Sequence, residues 1–540
     1  IARRQRQMCI RDSGKVYVDK NHFEEAVLQE GGIIKAVGSS ADILAMAGDA
    51  ERIDCQGRTV LPGMNDSHEH LLDFGQTLVM PNTYGCKSAD EIVAVCREFL
   101  ASHPNCKAIV TKGWNEINFD EDKKRLPDRH DMDKISTEIP IVLSRVCGHI
   151  AVVNTMLLER AGFGKHQTVE GGKVEWEEDG TPNGRVYENA LSAVMSHVPP
   201  TAPEDLAEYL RAGMQYAVAH GLTTVQCNDA ETVAPPADVF KALDIAYRDG
   251  DAPLRYVSQT GMTNLQDMKA FVKGPLHKKT LYGGMLKYGP IKMFKDGSLG
   301  ARSSLMRQPY ADDPTTIGVE RIPDAEQLEM IRYANETNTQ IVTHCIGDGA
   351  IEKTLNLYIQ ANGGTANPQR HSIIHYQITD MDMVRKTRDH NILVAYQPVF
   401  LEYDLHVCDD RVGKELGSTS YCFKTAYEMG IHASFGSDCP VEDCNPFCGI
   451  YCAVTRKDYN HLPEGGWNPQ ECVSVEDAID MFTVESAYHE FMEDTKGRLK
   501  PGYLADLIVL DTDIFTCDPD DILHIQPTLT MVNGRVVYRK

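Results

Sequence analysis

Eight short apolar runs, spaced by stretches of helical periodicity, constrain this chain more than any other feature. They are the run ending at His68, then residues 222–227, 254–258, 286–295, 340–344, 371–375, 392–396 and 431–436. Strand-like runs alternating with helical patterns predict a parallel α/β fold, and eight is the number a (β/α)8 TIM-like barrel needs. The count holds only if about 81–200 is an insertion after the first strand. That segment has its own strand-like runs at 108–111 and 140–143, so a subdomain over the barrel mouth is expected there. Short β-like runs separated by turns also stand near both ends, at 15–18, 25–28 and 32–38, and again at 505–510 and 531–538. The expected architecture is therefore a barrel over 61–498 with a small β-sandwich built from both chain ends, 14–60 and 499–540. Residues 1–13 are basic and lack an apolar period; they read as a disordered or non-native leader.

Composition narrows the partners. A total of 78 acidic against 54 basic residues leaves a net charge of −24, which argues against nucleic acid or an anionic membrane surface. There is no apolar run long enough for a membrane span and no secretory pattern at the start. A cytoplasmic protein acting on a small molecule is the expectation. The 16 cysteines are scattered. Cys444 and Cys448, with Cys439 and Cys452 nearby, suggest a structural zinc knot, but a second close-spaced pair is missing, and reduced, buried thiols are the default.

Polar residues fall where a barrel enzyme keeps its chemistry, at the C-terminal ends of the strands. His68 and His70 close the first run. As i and i+2 residues of a strand they aim two imidazoles to one side, which is how a metal is gripped. Lys292 lies in the fourth run, His344 ends the fifth, His375 ends the sixth, and Asp438 follows the eighth. Any one of these alone reads as an ordinary structural residue; six in this order can ring one pocket.

With those positions stand longer motifs: Pro62-Gly63-Met64-Asn65-Asp66-Ser67-His68-Glu69-His70, Gly148-His149-Ile150-Ala151-Val152-Val153-Asn154, Asp296-Gly297-Ser298-Leu299-Gly300-Ala301-Arg302, Gly436-Ser437-Asp438 and Gly497-Arg498-Leu499-Lys500-Pro501-Gly502. Together they resemble the amidohydrolase superfamily, and within it the YtcJ-like (amidohydrolase-3) branch. The resemblance implies one or two divalent ions per chain, usually zinc. His68, His70 and Asp438 would hold one and His344 and His375 the other, with Lys292 bridging them once carboxylated. Lys295, three residues on, is the competing lysine. Without carboxylation, a one-metal site on the histidines and Asp438 is the model. The implied reaction is hydrolysis of a non-peptide or small amide C–N bond (amide, N-substituted formamide or cyclic amide) by metal-activated hydroxide. Asp438 would move the proton as the catalytic residue. A deaminase of an aminated heterocycle is the alternative, and a non-catalytic scaffold relative the second. Substrate-binding candidates are Trp114, His149 and Glu188 in the insertion and Arg302 after the fourth strand; Trp114 also reads as simple core, and His149 and Glu188 as a buried polar pair holding the insertion in place. A homodimer is expected from the resemblance alone.

Overall fold

A computed structural model describes residues 7–11, 14–145, 150–364 and 366–540, with backbone alone for 7–11 and 117. The chain divides into two compact units, one of residues 1–72 and 214–540, the other of 73–213.

The first unit contains eight parallel strands that form a TIM-like barrel: β1 Met64–Glu69, β2 Leu222–Cys227, β3 Arg255–Gly261, β4 Leu286–Phe294, β5 Ile341–Cys345, β6 Ser372–His375, β7 Leu393–Tyr396 and β8 Ala433–Phe435. Each pairs with its sequence neighbour in parallel register. Strands covered on both faces should be almost wholly buried, and β2, β3, β6, β7 and β8 are. β1 is equally buried yet polar: Asn65, Asp66, Ser67, His68 and Glu69 are each at most 2% exposed. Buried polar groups must find partners. Asn65 donates to Glu490 at 2.8 Å, and Asp66 accepts the backbone N–H groups of His68 and Ser437.

Those last bonds also close the barrel. Where β8 runs into Gly436-Ser437-Asp438, the Asp438 N–H donates to the His68 carbonyl at 2.8 Å and the His70 N–H to the Cys439 carbonyl at 2.7 Å. Gly436 permits the approach, because a Cβ there would lie 2.6 Å from Asp66 Oδ1 and 2.7 Å from His68 N.

Both chain ends build the β-sandwich. Strand Thr59–Pro62 pairs antiparallel with Leu507–Leu510 inside a six-stranded sheet, and a four-stranded sheet accompanies it. Val16, Val27, Ile34, Val60, Leu507 and Met531 pack in its core. Gln7–Arg11, expected to be irregular leader, is a strand of the four-stranded sheet. It pairs antiparallel with Ala26–Glu30 and parallel with Glu51–Asp54. Its short apolar run Met8-Cys9-Ile10 lies among arginines and shows no period, and pairing on both edges supplies what local periodicity does not. The rest of the expected leader, 1–6 and 12–13, lies outside the described residues. Arg255 of β3 forms a buried bidentate pair with Asp506, at 2.8 and 3.1 Å, just ahead of the returning strand.

The second unit is the insertion, wider than 81–200. Its five-stranded sheet runs in the order Gly172–Trp176, Pro182–Glu188, Ile150–Val153, Ile141–Arg145, Ile109–Trp114. Among the described residues no helix is long and apolar enough to cross a membrane, the thiols are free, and the grouped side chains able to hold a metal include no cysteine.

Candidate metal centre

Four histidines, a lysine and an aspartate meet at the C-terminal ends of β1, β4, β5, β6 and β8. His68, His375 and Asp438 form the compact set, with one potential donor atom from each lying within 4.8 Å of the others. His70 Nε2 is 3.2 Å and His68 Nε2 3.3 Å from Asp438 Oδ1. The His344 ring stands edge-on to that of His375, with centroids 4.3 Å apart. Lys292 Nζ, fully buried, lies 3.0 Å from His68 Nε2.

The hydrogen bonds fix which nitrogen faces inward. Gln259 Nε2 donates to the Ser67 carbonyl at 2.9 Å, so its Oε1 is the atom 2.7 Å from His68 Nδ1, and that ring nitrogen must be the donor. His70 Nδ1 donates to the Asn228 carbonyl at 2.6 Å. Gln397 Nε2 donates to the Ala395 carbonyl at 3.4 Å, which leaves its Oε1 to accept from His375 Nδ1 at 2.6 Å. In the neutral rings, three Nε2 lone pairs therefore point toward the Asp438 carboxylate. His344 is turned the other way: its Nε2 donates to the Gly297 carbonyl at 3.0 Å, leaving Nδ1 as the lone-pair nitrogen.

Two buried polar atoms in this cluster, Asp438 Oδ1 and His375 Nε2, make no hydrogen bond to protein. A buried oxygen and a buried nitrogen lone pair facing one another are costly unless something positive joins them. A divalent cation with imidazole and carboxylate donors meets that need. The backbone also bears strain here. His375 and Asp438 occupy left-handed conformations, φ +76° and +56°, that side chains with a Cβ adopt rarely.

The electrostatics agree. Burial lowers the proton affinity of His68, and that of His375 to about 4, keeping both rings neutral. Burial alone would raise Asp438, but the contact with His70 holds its carboxyl well below the usual range. His70 is raised despite burial, because Asp438 stands beside it. Burial lowers Lys292 to about 7.

The competing lysine points elsewhere. Lys295 Nζ bonds the Ile322 carbonyl at 2.9 Å, Asp324 at 2.5 Å and Glu320 at 2.7 Å. Trp114 is 1% exposed in the core of the insertion and donates its indole N–H to the Leu143 carbonyl at 2.8 Å, so here it packs rather than faces solvent. Glu188 ends an insertion strand in a left-handed conformation, and His149 lies outside the described residues. Arg302 is committed to a bidentate pair with Asp312, at 3.0 and 2.8 Å. Gln259 and Gln397 went unnoticed in the sequence. The available signal was a glutamine within, or directly after, a buried barrel strand.

A family model described as "Amidohydrolase family" matches residues 51–538. The chain belongs to the amidohydrolase family. It is 30% identical to the amidohydrolase YtcJ of Bacillus subtilis over 96% of both chains. It is 25% identical to an N-substituted formamide deformylase of Arthrobacter pascens, again over 96% of both. A metal-dependent hydrolase from Pyrococcus furiosus superposes with a TM-score of 0.79 at 25% identity, covering 94% of this chain and all of that one. The chain is thus of a hydrolase family, and its buried His-His-Asp cluster suits a divalent metal.

Proposed function

We propose that this amidohydrolase uses zinc to hydrolyse a C–N bond of a small non-peptide amide, N-substituted formamides and cyclic amides being the leading classes. The observation that carries the reading is that His68 Nε2 and His70 Nε2 stand 3.3 and 3.2 Å from Asp438 Oδ1 with His375 in the same cluster, that oxygen and His375 Nε2 being otherwise unbonded. The substrate class draws support from the likeness to the formamide deformylase. In a one-ion centre His68, His70, His375 and Asp438 would hold the ion, with His344 beside them. When bound, such an ion makes water acidic enough to attack at neutral pH and polarises the carbonyl it faces.

Asp438 accepts the proton released by the attacking water and delivers it to the leaving nitrogen. Its depressed proton affinity keeps it a carboxylate until that moment. Lys292, lowered to about 7 by burial, supplies enough neutral amine to add to carbon dioxide. Its nitrogen forms a bond to the carbon, one proton leaves, and a carbamate anion replaces a cation. That change is what would allow a two-ion centre, with His68, His70 and Asp438 on one ion and His344 and His375 on the other, since an ammonium repels a cation.

Metal content and a substrate panel test the reading together. Protein prepared with zinc and bicarbonate is expected to carry about two ions per chain, or about one if Lys292 stays an amine. The loaded enzyme should release formate and amine from N-substituted formamides, or open a cyclic amide. Ammonia released from an aminated heterocycle would move the assignment to a deaminase. Protein that binds no ion after zinc is supplied would remove the enzyme reading.

A further inference from the structure

β3 and β7 contribute no candidate ligand, yet each sends one buried glutamine to the back of a candidate ligand histidine. Gln259 is 2% exposed and Gln397 is fully buried. They accept from His68 Nδ1 at 2.7 Å and His375 Nδ1 at 2.6 Å. The third inward ring, His70, is backed by a peptide carbonyl at 2.6 Å. All three oxygens behind the imidazoles therefore belong to neutral amides, where a metal site can equally use carboxylates.

Building on the metal reading above, we propose that Gln259 and Gln397 are positioning residues that lock His68 and His375 with Nε2 free for the ion, while placing no charge behind those two rings. Each glutamine can do this because its own orientation is fixed. The Nε2 of Gln259 is committed to Ser67 O and that of Gln397 to Ala395 O, so neither amide can flip to present a donor. An acceptor behind the ring selects the tautomer and sets the ring plane. A neutral acceptor also draws less on the ring N–H than a carboxylate does. The imidazole is then a weaker donor, and the ion behind it a stronger Lewis acid.

The test is a zinc titration of the stripped full-length chain against a chromogenic chelator, with wild type, Gln397→Leu, Gln259→Leu, Gln397→Glu and Gln259→Glu. The leucine variants are expected to raise the zinc Kd by about 10–100-fold. The glutamate variants keep an acceptor and should bind zinc at least as tightly as wild type. Their pH–rate profiles should shift to higher pH, a change that a space-filling role would not produce. Each leucine variant also strips an amide donor from a backbone carbonyl, Ser67 O at 2.9 Å and Ala395 O at 3.4 Å, so Gln397→Leu, which loses the longer bond, is the cleaner variant, and the glutamate pair decides the matter if a leucine variant misfolds. A wild-type Kd in Gln397→Leu would overturn the proposal, as would zinc loss in the glutamate variants equal to that in the leucine ones. Failure of the wild-type chain itself to bind zinc would instead sink the metal reading, and this proposal with it.

Discussion

Asp438 joins three properties rarely found in one side chain: near-complete burial, an unbonded carboxylate oxygen and a left-handed backbone. Each is unfavourable alone, and together they mark a group held ready rather than one chosen for stability. Asp438→Asn keeps the shape but cannot carry a proton. On a substrate found with the panel above, it should lower kcat by about 10²–10⁴-fold with an unchanged far-UV spectrum. Near wild-type turnover would show that another group moves the proton. Lys292→Met addresses the second ion. If the carbamate forms, the variant should hold about one zinc fewer per chain than wild type prepared in bicarbonate; equal content would rule the bridge out.

At the scale of elements, the meeting of β8 with β1 is the sensitive point. Gly436→Ala puts a methyl group 2.6 Å from Asp66 Oδ1 and 2.7 Å from His68 N, atoms held by the backbone bonds that close the barrel. The strands must part to admit it, at about 1–3 kcal/mol. The expected result is a lower Tm together with weaker zinc binding, because the displaced residue is His68. A second element reports on pH. Asp404 ends the short helix Leu401–Asp404, accepts from Gln377 and Tyr421, and is pushed up to about 6 by burial. The folded state thus holds a proton that the unfolded chain has lost above about pH 4. The contribution is full below that pH and is lost as pH rises through about 6, amounting to about 3 kcal/mol. In urea unfolding of the metal-free protein, Asp404→Asn should flatten the fall in stability between pH 4 and pH 7; an unaltered slope would place the carboxyl near its ordinary value.

The eight barrel strands were legible because a buried parallel strand is written as a continuous apolar run, and His68, Lys292, His344, His375 and Asp438 because they interrupt or end such runs. Strand Gln7–Arg11 was not, since its pairing partners are distant in sequence and its neighbours are arginines. Gln259 and Gln397 escaped for a related reason. An amide carries no charge and no ligand motif, and its importance lies wholly in which ring nitrogen it meets.

For the molecule as a whole, the returning C-terminal segment is tied to the barrel by a buried ion pair. Arg255 and Asp506 are about 4% exposed, and the same aspartate accepts the Asn533 N–H. Arg255→Met would strand a buried carboxylate and should cost about 3–5 kcal/mol in chemical denaturation, with part of the loss recovered by adding Asp506→Leu. A loss under about 1 kcal/mol would mean that water reaches the pair.

His68 stands near the beginning of the barrel and Asp438 just beyond its last strand, and the bond between their backbones is the seam of the cylinder. A ribosome making this chain delivers the first histidines long before the aspartate that completes the cage. On the metal reading proposed above, the full ligand set forms only once the last strand has left the exit tunnel. A product broken off before Asp438 would carry the histidines but not the carboxylate on which they converge.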